Sequence, residues 1–235
     1  MKIFSLDSSA TCASVSIYDD VENKVVGEFF INTRLTHSQT LLPMIDALLS
    51  STCTELNDID AFAVNTGPGS FTGIRIGVSV IKGMAMPEDK PCVSVSTLES
   101  MAYNFIDSDD VIVCACMDAR RNQVYNALFE IQSGSVVRLC EDRALSIEDL
   151  FSELKTYSKR VILVGDGAKL CLDSEFCCGN VELAFIDKRY QNATSVALCA
   201  KKYIDAGDKL NASTLMPTYL RPSQAERERL NKEKE

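Results

Sequence analysis

The chain has 235 residues, with 24 Lys and Arg against 33 Asp and Glu, ten Cys, one His and no Trp. An apolar content of 46% supports a buried core and excludes disorder and collagen-like repeats. The longest apolar run, 111–117, is far short of the roughly 20 residues of a bilayer span, so no membrane association is expected. The net charge of −9 is uneven: residues 1–105 hold 6 basic and 12 acidic side chains, which disfavours nucleic-acid binding by this chain alone.

The opening segment alternates as a three-stranded meander over 2–8, 12–19 and 24–32, with turn residues at 9–11 and 20–23. Its first residues, MKIFSLDSSA, lack the hydrophobic region of a secretory signal, so a cytoplasmic location with reduced thiols is expected. The ten cysteines show no C-x-x-C spacing and read as small buried fillers, Cys114 and Cys116 facing one side of a strand. A helix follows over about 36–51, in which Leu41, Ile45 and Leu48 recur at helical period with Leu42 and Leu49 alongside, and Pro43 sits near the start. His37 opens that helix and reads as a capping or interface residue, because nothing places a nucleophile and an acid around it. One histidine also disfavours a His-rich metal site. No metal, cofactor or catalytic residue is expected.

A strand over 61–65 leads into TGPGSFTGIRIG (66–77) and a second helix to about Ala85. No Lys follows these glycines, so the segment is not a Walker A loop, and its spacing misses G-x-G-x-x-G by one residue. Ser70 or Thr72 can cap the helix. Within it Gly73, Gly77, Val80 and Met84 make one stripe and Ile74, Val78, Ile81 and Ala85 another, of which only one is expected to face its own lobe. Each helical glycine sacrifices about 1 kcal/mol relative to Ala, a loss that close approach of another helix would offset. The two helices are therefore expected to form a face that docks on another subunit through His37, Leu41, Ile45, Leu48, Gly73, Gly77, Val80 and Met84, the plainer alternative being packing within the lobe.

The second half repeats this grammar: strands at 111–118, 123–131 and 135–142, a helix at 147–157, a strand at 160–165, a turn at Gly165-Asp166-Gly167 and a helix near 194–206. Asp7 and Asp118 each end a first strand before a tight hairpin. This is a duplicated β-β-β-α-β-α unit. It predicts an α/β protein of two ribonuclease-H-like lobes facing a cleft, the actin-like ATPase arrangement, with lobes at 1–105 and 106–223 and a charged tail at 224–235. In an active ATPase of that fold the hairpin turns would hold phosphates. Here the turns Asp7-Ser8-Ser9-Ala10-Thr11 and Asp118-Ala119-Arg120-Arg121-Asn122 contain no glycine to let backbone amides approach one. Asp7, Ser8, Asp118, Gly165, Asp166 and Gly167 thus mark a degenerate nucleotide cleft. The glycine turn can pass an adenine or serve as a plain strand-to-helix turn.

Five stretches, THSQTLLPMIDALL (36–49), NTGPGSFTGIRIGVSVIKGMA (65–85), VSTLES (95–100), MDARRNQVYNALFE (117–130) and PTYLRPS (217–223), together resemble the TsaB (YeaZ) family of tRNA threonylcarbamoyladenosine biosynthesis proteins. The resemblance implies a two-lobed actin-type fold without its own phosphate and metal residues. It further implies a scaffold for the paralogous TsaD, which with the ATPase TsaE transfers threonylcarbamoyl from its AMP ester to adenosine in tRNA. TsaB would supply the helical face at 36–51 and 70–85, forming homodimers when TsaD is absent, and would meet tRNA only through the complex. By this reading the chain is not an enzyme. The alternatives are an ATP-dependent phosphotransferase or glycoprotease-like enzyme on the same fold, and a stand-alone RNA-binding module.

Overall fold

A computed structural model describes residues 1–33, 35–177 and 179–221. Strands β1 (Lys2–Asp7), β2 (Cys12–Asp19) and β3 (Lys24–Asn32) form the expected antiparallel meander, with Asp7 opposite Ser14 at the end of β1. Helix α1 (His37–Thr52) is started by a reciprocal capping box between Thr36 and Gln39. Pro43 lies within the helix beyond its first turn, where it removes one internal hydrogen bond on the exposed side. Strand β4 (Ala61–Gly67) runs parallel to β1, helix α2 (Phe71–Ala85) returns across the sheet, and β5 (Cys92–Ser96) pairs parallel to β4. The strand order is β3-β2-β1-β4-β5. One face of this sheet packs on α1 and α2 through Phe4, Leu6, Val15, Leu48, Ile74 and Ile81. A short helix, α3 (Thr97–Ala102), then leads to the second sheet.

That sheet contains β6 (Val111–Asp118), β7 (Gln123–Gln132), β8 (Ser135–Arg138), β9 (Arg143–Ser146), β10 (Arg160–Val164) and β11 (Val181–Leu183). Its order, β8-β7-β6-β10-β11, repeats that of the first sheet, so the duplication inferred from element order is a duplication of topology. The strand expected over 135–142 ends at Arg138, and a further short strand follows at 143–146: β8 pairs with the far end of β7 and β9 with its near end. Helices α4 (Ile147–Leu154) and α5 (Ala168–Leu172) cover one face, where Cys114, Cys116 and Cys171 are buried among Leu150, Phe151 and Leu163.

The lobes exchange helices, which corrects the boundary at 105/106. Helix α3 packs on the second sheet, Leu98 and Met101 lying against Val113 and Phe129. Helix α6 (Ala193–Asp205) crosses back to cover the free face of the first sheet, with Val196, Ala197 and Ala200 on Ile3, Ala61 and Val93. By packing, the first lobe is 1–96 together with α6 and the segment to 221, and the second is 97–192. Buried Glu99 joins the crossing elements, accepting hydrogen bonds from Arg138 of β8 (3.0 Å) and from Lys202 (3.0 Å) and Tyr203 (2.7 Å) of α6. The tail expected at 224–235 lies outside the described residues. Among the described residues no helix is long and apolar enough to cross a membrane.

Candidate functional site

Two surfaces collect the residues singled out in the sequence: the turn at the end of β1 with the α1/α2 pair beside it, and the cleft between the lobes. At the end of β1, Asp7 is fully buried; its Oδ1 accepts from Asn65 Nδ2 (2.7 Å) and Ser9 Oγ (2.7 Å), while Oδ2 has no protein partner. Burial pushes its carboxyl above the ordinary carboxylate range against the lowering effect of those hydrogen bonds. Ser8 faces away from the cleft, its Oγ donating to the Gly73 carbonyl (2.9 Å). Ser70 caps α2 by accepting from Gly73 N (3.2 Å), and its own N–H donates to Ser9 O (2.7 Å).

The glycines of α2 are therefore used within the lobe. A methyl group at Gly73 would overlap the Ser8 carbonyl and lie 3.1 Å from the His37 ring, and one at Gly77 would overlap Ser8 Oγ and lie 2.8 Å from Leu6. The expectation that Gly73 and Gly77 share an outward stripe with Val80 and Met84 is corrected: both glycines join Ile74, Val78, Ile81 and Ala85 on the buried side. Val80 and Met84 lie half-buried at its margin. Leu41, Ile45 and Leu48, also expected at the partner face, are buried in the lobe core. Of these only Leu41 also lines the groove of about 520 Å³ between the helices, where Leu42, 62% exposed, and Ile76 come forward with Val80, Ser38, Thr72, Arg75 and Ser79. His37 borders this groove, and its Nε2 donates to Ala10 O (2.7 Å), tying α1 to the first hairpin.

The interlobe cleft, about 380 Å³, is lined by Ser9, Thr11 and Ser70 on one side and by Asp118, Arg120 and Asp166 on the other. The structure brings Asp118 and Asp166 together, Asp118 N donating to Asp166 Oδ1 (3.4 Å). Asp166 is reached by solvent but sits deep enough among protein atoms that burial raises its pKa to about 6, with the neighbouring Asp118 carboxylate adding to the rise. Asp118 and Arg120 are joined by a turn bond, Arg120 N donating to Asp118 Oδ1 (2.7 Å). Gly165 (φ +104°) and Gly167 lie against the end of β6: a side chain at Gly165 would overlap Cys116 O, and Gly167 N donates to that oxygen (3.1 Å). Packing of a strand-to-helix turn on β6 accounts for both glycines.

Sequence reasoning missed the C-terminal strap, residues 211–221. Lys82 Nζ donates to the Ser213 and Leu215 carbonyls, and Thr218 N donates to Thr66 O (2.8 Å). Tyr219 stacks on Phe71 (centroids 4.5 Å apart, 18°), and Arg221 donates to Gln123 Oε1 (2.7 Å) on the opposite lobe. The strap thus touches both lobes at the cleft mouth. The signal available was an aromatic and an arginine two residues apart in a segment with no periodic pattern. Among the described residues no group of three or more His, Cys, Asp or Glu is placed to hold a metal ion.

The family model described as TsaD, tRNA N6-adenosine threonylcarbamoyltransferase, matches residues 25–229. The chain is 33% identical over 169 residues to the tRNA threonylcarbamoyladenosine biosynthesis protein TsaB of Escherichia coli (strain K12), spanning 71% of this chain and 72% of that protein. It is 31% identical over 170 residues to TsaB of Bacillus subtilis (strain 168), spanning 72% and 73%. The solved structure of YeaZ from Pseudomonas aeruginosa superposes with a TM-score of 0.80 at 24% identity, covering 93% of this chain and 99% of that one, and shares the two-lobed fold. The chain belongs to the family that the TsaD model describes and, within it, stands with the TsaB proteins of tRNA threonylcarbamoyladenosine biosynthesis.

Proposed function

We propose that this chain is a non-catalytic scaffold subunit in threonylcarbamoyladenosine formation on tRNA, seating a TsaD-type transferase on its α1/α2 groove, with TsaE as the ATPase of the set. The observation that carries this reading is the groove itself: Leu42, Ile76 and Val80 line a concave apolar surface that the lobe's own core leaves uncovered. The match of a TsaD model to most of this chain supports a partner built on the same plan, so that like helix pairs meet across a pseudo-twofold axis. The same geometry joins two copies of this chain when the transferase is absent.

The non-catalytic part of the proposal draws on the first hairpin, whose Ser8 and Ser9 carbonyls point at the glycine loop where a phosphate site would need converging N–H groups. A cytoplasmic location accompanies this role. Reconstituted threonylcarbamoyl transfer with and without this chain tests the proposal, with a rise in product expected on its addition. Leu42→Asp with Val80→Asp is expected to abolish co-purification with the transferase while leaving the fold intact. Retained binding by that folded double variant refutes the groove.

A further inference from the structure

We propose that the mouth of the interlobe cleft, formed by the second hairpin and the C-terminal strap, docks the phosphodiester backbone of RNA. The proposal rests on the preceding reading that the chain serves tRNA modification, and it places one RNA contact on this subunit itself. Eight arginines lie among the described residues. Three of them, Arg138, Arg143 and Arg160, are ion-paired with carboxylates on the second lobe, and Arg189 donates to a backbone carbonyl. The remaining four, Arg75, Arg120, Arg121 and Arg221, have no carboxylate partner among the described residues; Arg75 lines the α1/α2 groove, while Arg120, Arg121 and Arg221 meet at the second hairpin, Arg120 lining the cleft and Arg221 lying on Gln123 and Tyr125. In a chain of net charge −9 three arginines without a carboxylate partner at one hairpin are a local concentration of positive charge.

These arginines are held without being neutralised. Arg75 Nε donates to the Tyr219 hydroxyl (2.7 Å) with its guanidinium 5.5 Å from the ring centroid, and Arg221 lies 5.7 Å from the Tyr125 centroid while one Nη donates to Gln123. Each contact uses one of five N–H donors and leaves the charge intact. Phosphate suits such a preoriented planar fork, because it can accept two parallel hydrogen bonds. Arg120, Arg121 and Asn122 occupy three successive left-handed conformations (φ 66°, 57° and 54°), which glycine or asparagine adopts far more readily than arginine. The turn nevertheless carries two long cations at its exposed tip.

The cleft floor argues against a free nucleotide as the occupant, because Asp118 and Asp166 repel phosphate there. A polymer passing over the rim can meet Arg120, Arg121 and Arg221 at the second hairpin while avoiding the floor. The test uses the full-length chain in complex with its transferase partner and an unmodified tRNA transcript as probe. For Arg120→Gln with Arg121→Gln, about tenfold weaker binding at 0.1 M salt is expected, with the slope of log K against log salt shallower by about 1.5 to 2. Arg121→Lys, which keeps the charge, is expected to retain most of that slope. Unchanged affinity and slope in the folded double variant overturn the proposal. So does loss of transferase association or of ATP binding in place of tRNA binding, which would assign the rim to a protein or a nucleotide. Transfer assays with the wild-type chain keep the two readings apart: no stimulation refutes the scaffold function, whereas stimulation with unaltered tRNA binding by the variants refutes only the rim.

Discussion

Substituting Gly73 and Gly83 of α2 by alanine should move stability in opposite directions. Both lie in one helix, where alanine is intrinsically favoured over glycine by up to about 1 kcal/mol. A methyl group at Gly83 meets nothing within 4 Å, so Gly83→Ala is expected to keep that gain, about 0.5 to 1 kcal/mol. At Gly73 the methyl group overlaps the Ser8 carbonyl, which is backbone and cannot rotate aside, and crowds the His37 ring at 3.1 Å. The helix must retreat by about 1 Å, and overpacking of that kind costs about 1 to 3 kcal/mol. Retreat also stretches the 2.9 Å bond from Ser8 Oγ to Gly73 O and leaves a buried hydroxyl unpaired, at about 1 to 3 kcal/mol more. The net expectation for Gly73→Ala is destabilisation by about 2 to 4 kcal/mol. Urea denaturation followed by circular dichroism compares the two variants at constant m-value. If Gly73→Ala is as stable as Gly83→Ala, the first hairpin is not seated against α2. Loss of partner affinity with raised stability would return Gly73 to the partner face.

Glu99→Gln is expected to cost about 2 kcal/mol at pH 7, since it removes the charge from a nearly fully buried acceptor of three hydrogen bonds. Burial alone would raise the Glu99 carboxyl, but the bonds from Tyr203, Lys202 and Arg138 together hold it below its ordinary 4.5. Its contribution is therefore complete above about pH 4.5 and is lost as pH falls through the folded value, so thermal melts of wild type and Glu99→Gln should converge toward acid pH. Asp166 has the opposite sign. With its folded pKa raised to about 6, the ionised form is disfavoured in the native state, and Asp166→Asn should be more stable than wild type at pH 8, the difference vanishing by pH 4. Thiol labelling at pH 8 followed by peptide mapping should modify exposed Cys53 in the native protein and spare Cys12, Cys92 and Cys199. Burial pushes those three thiols upward, Cys92 to about 11, and removes them from reagent.

The meanders were legible because a strand's side-chain period of two is unmistakable over eight or nine residues, as in β2 and β3. The short elements β5, β11, α3 and α5 went unread, whereas β10, as short, was legible because 161–164 is an unbroken apolar run. The orientation of α2 failed for a different reason. Room at Gly73 and Gly77 can be filled by a partner helix or by the lobe itself, and the groups that fill it, the Ser8 carbonyl and hydroxyl, come from a turn distant in sequence, which periodicity does not report. The two stripes are neighbouring arcs of one helix, and the buried side takes Gly73 and Gly77 with Ile74, Val78, Ile81 and Ala85 while Val80 and Met84 fall at its margin. In α1 the sheet takes Leu41, Met44, Ile45 and Leu48 and leaves Leu42 outside, a choice made by the neighbouring strands. The exchange of α3 and α6 between the lobes had no sequence signal at all, because an amphipathic pattern shows that a helix is covered and not which sheet covers it.

The first hairpin connects these observations. Anion sites at turns require several N–H groups aimed at one point, but here three successive residues present carbonyls to their surroundings. Ser8 O lies against Gly73, Ser9 O accepts from Ser70 N, and Ala10 O accepts from His37 Nε2. The first two bind the turn to the start of α2 and the third binds it to the start of α1. The starts of α1 and α2, which flank the groove holding Leu42, Ile76 and Val80, are thereby tied to a turn at the edge of the cleft. The isolated histidine and the dense glycines of 67–77 are two halves of one device: the glycines admit the hairpin carbonyls and His37 fixes the third. The proposed partner surface and the interlobe cleft therefore share one turn, which lines the cleft through Ser9 and Ala10 and holds the starts of both groove helices.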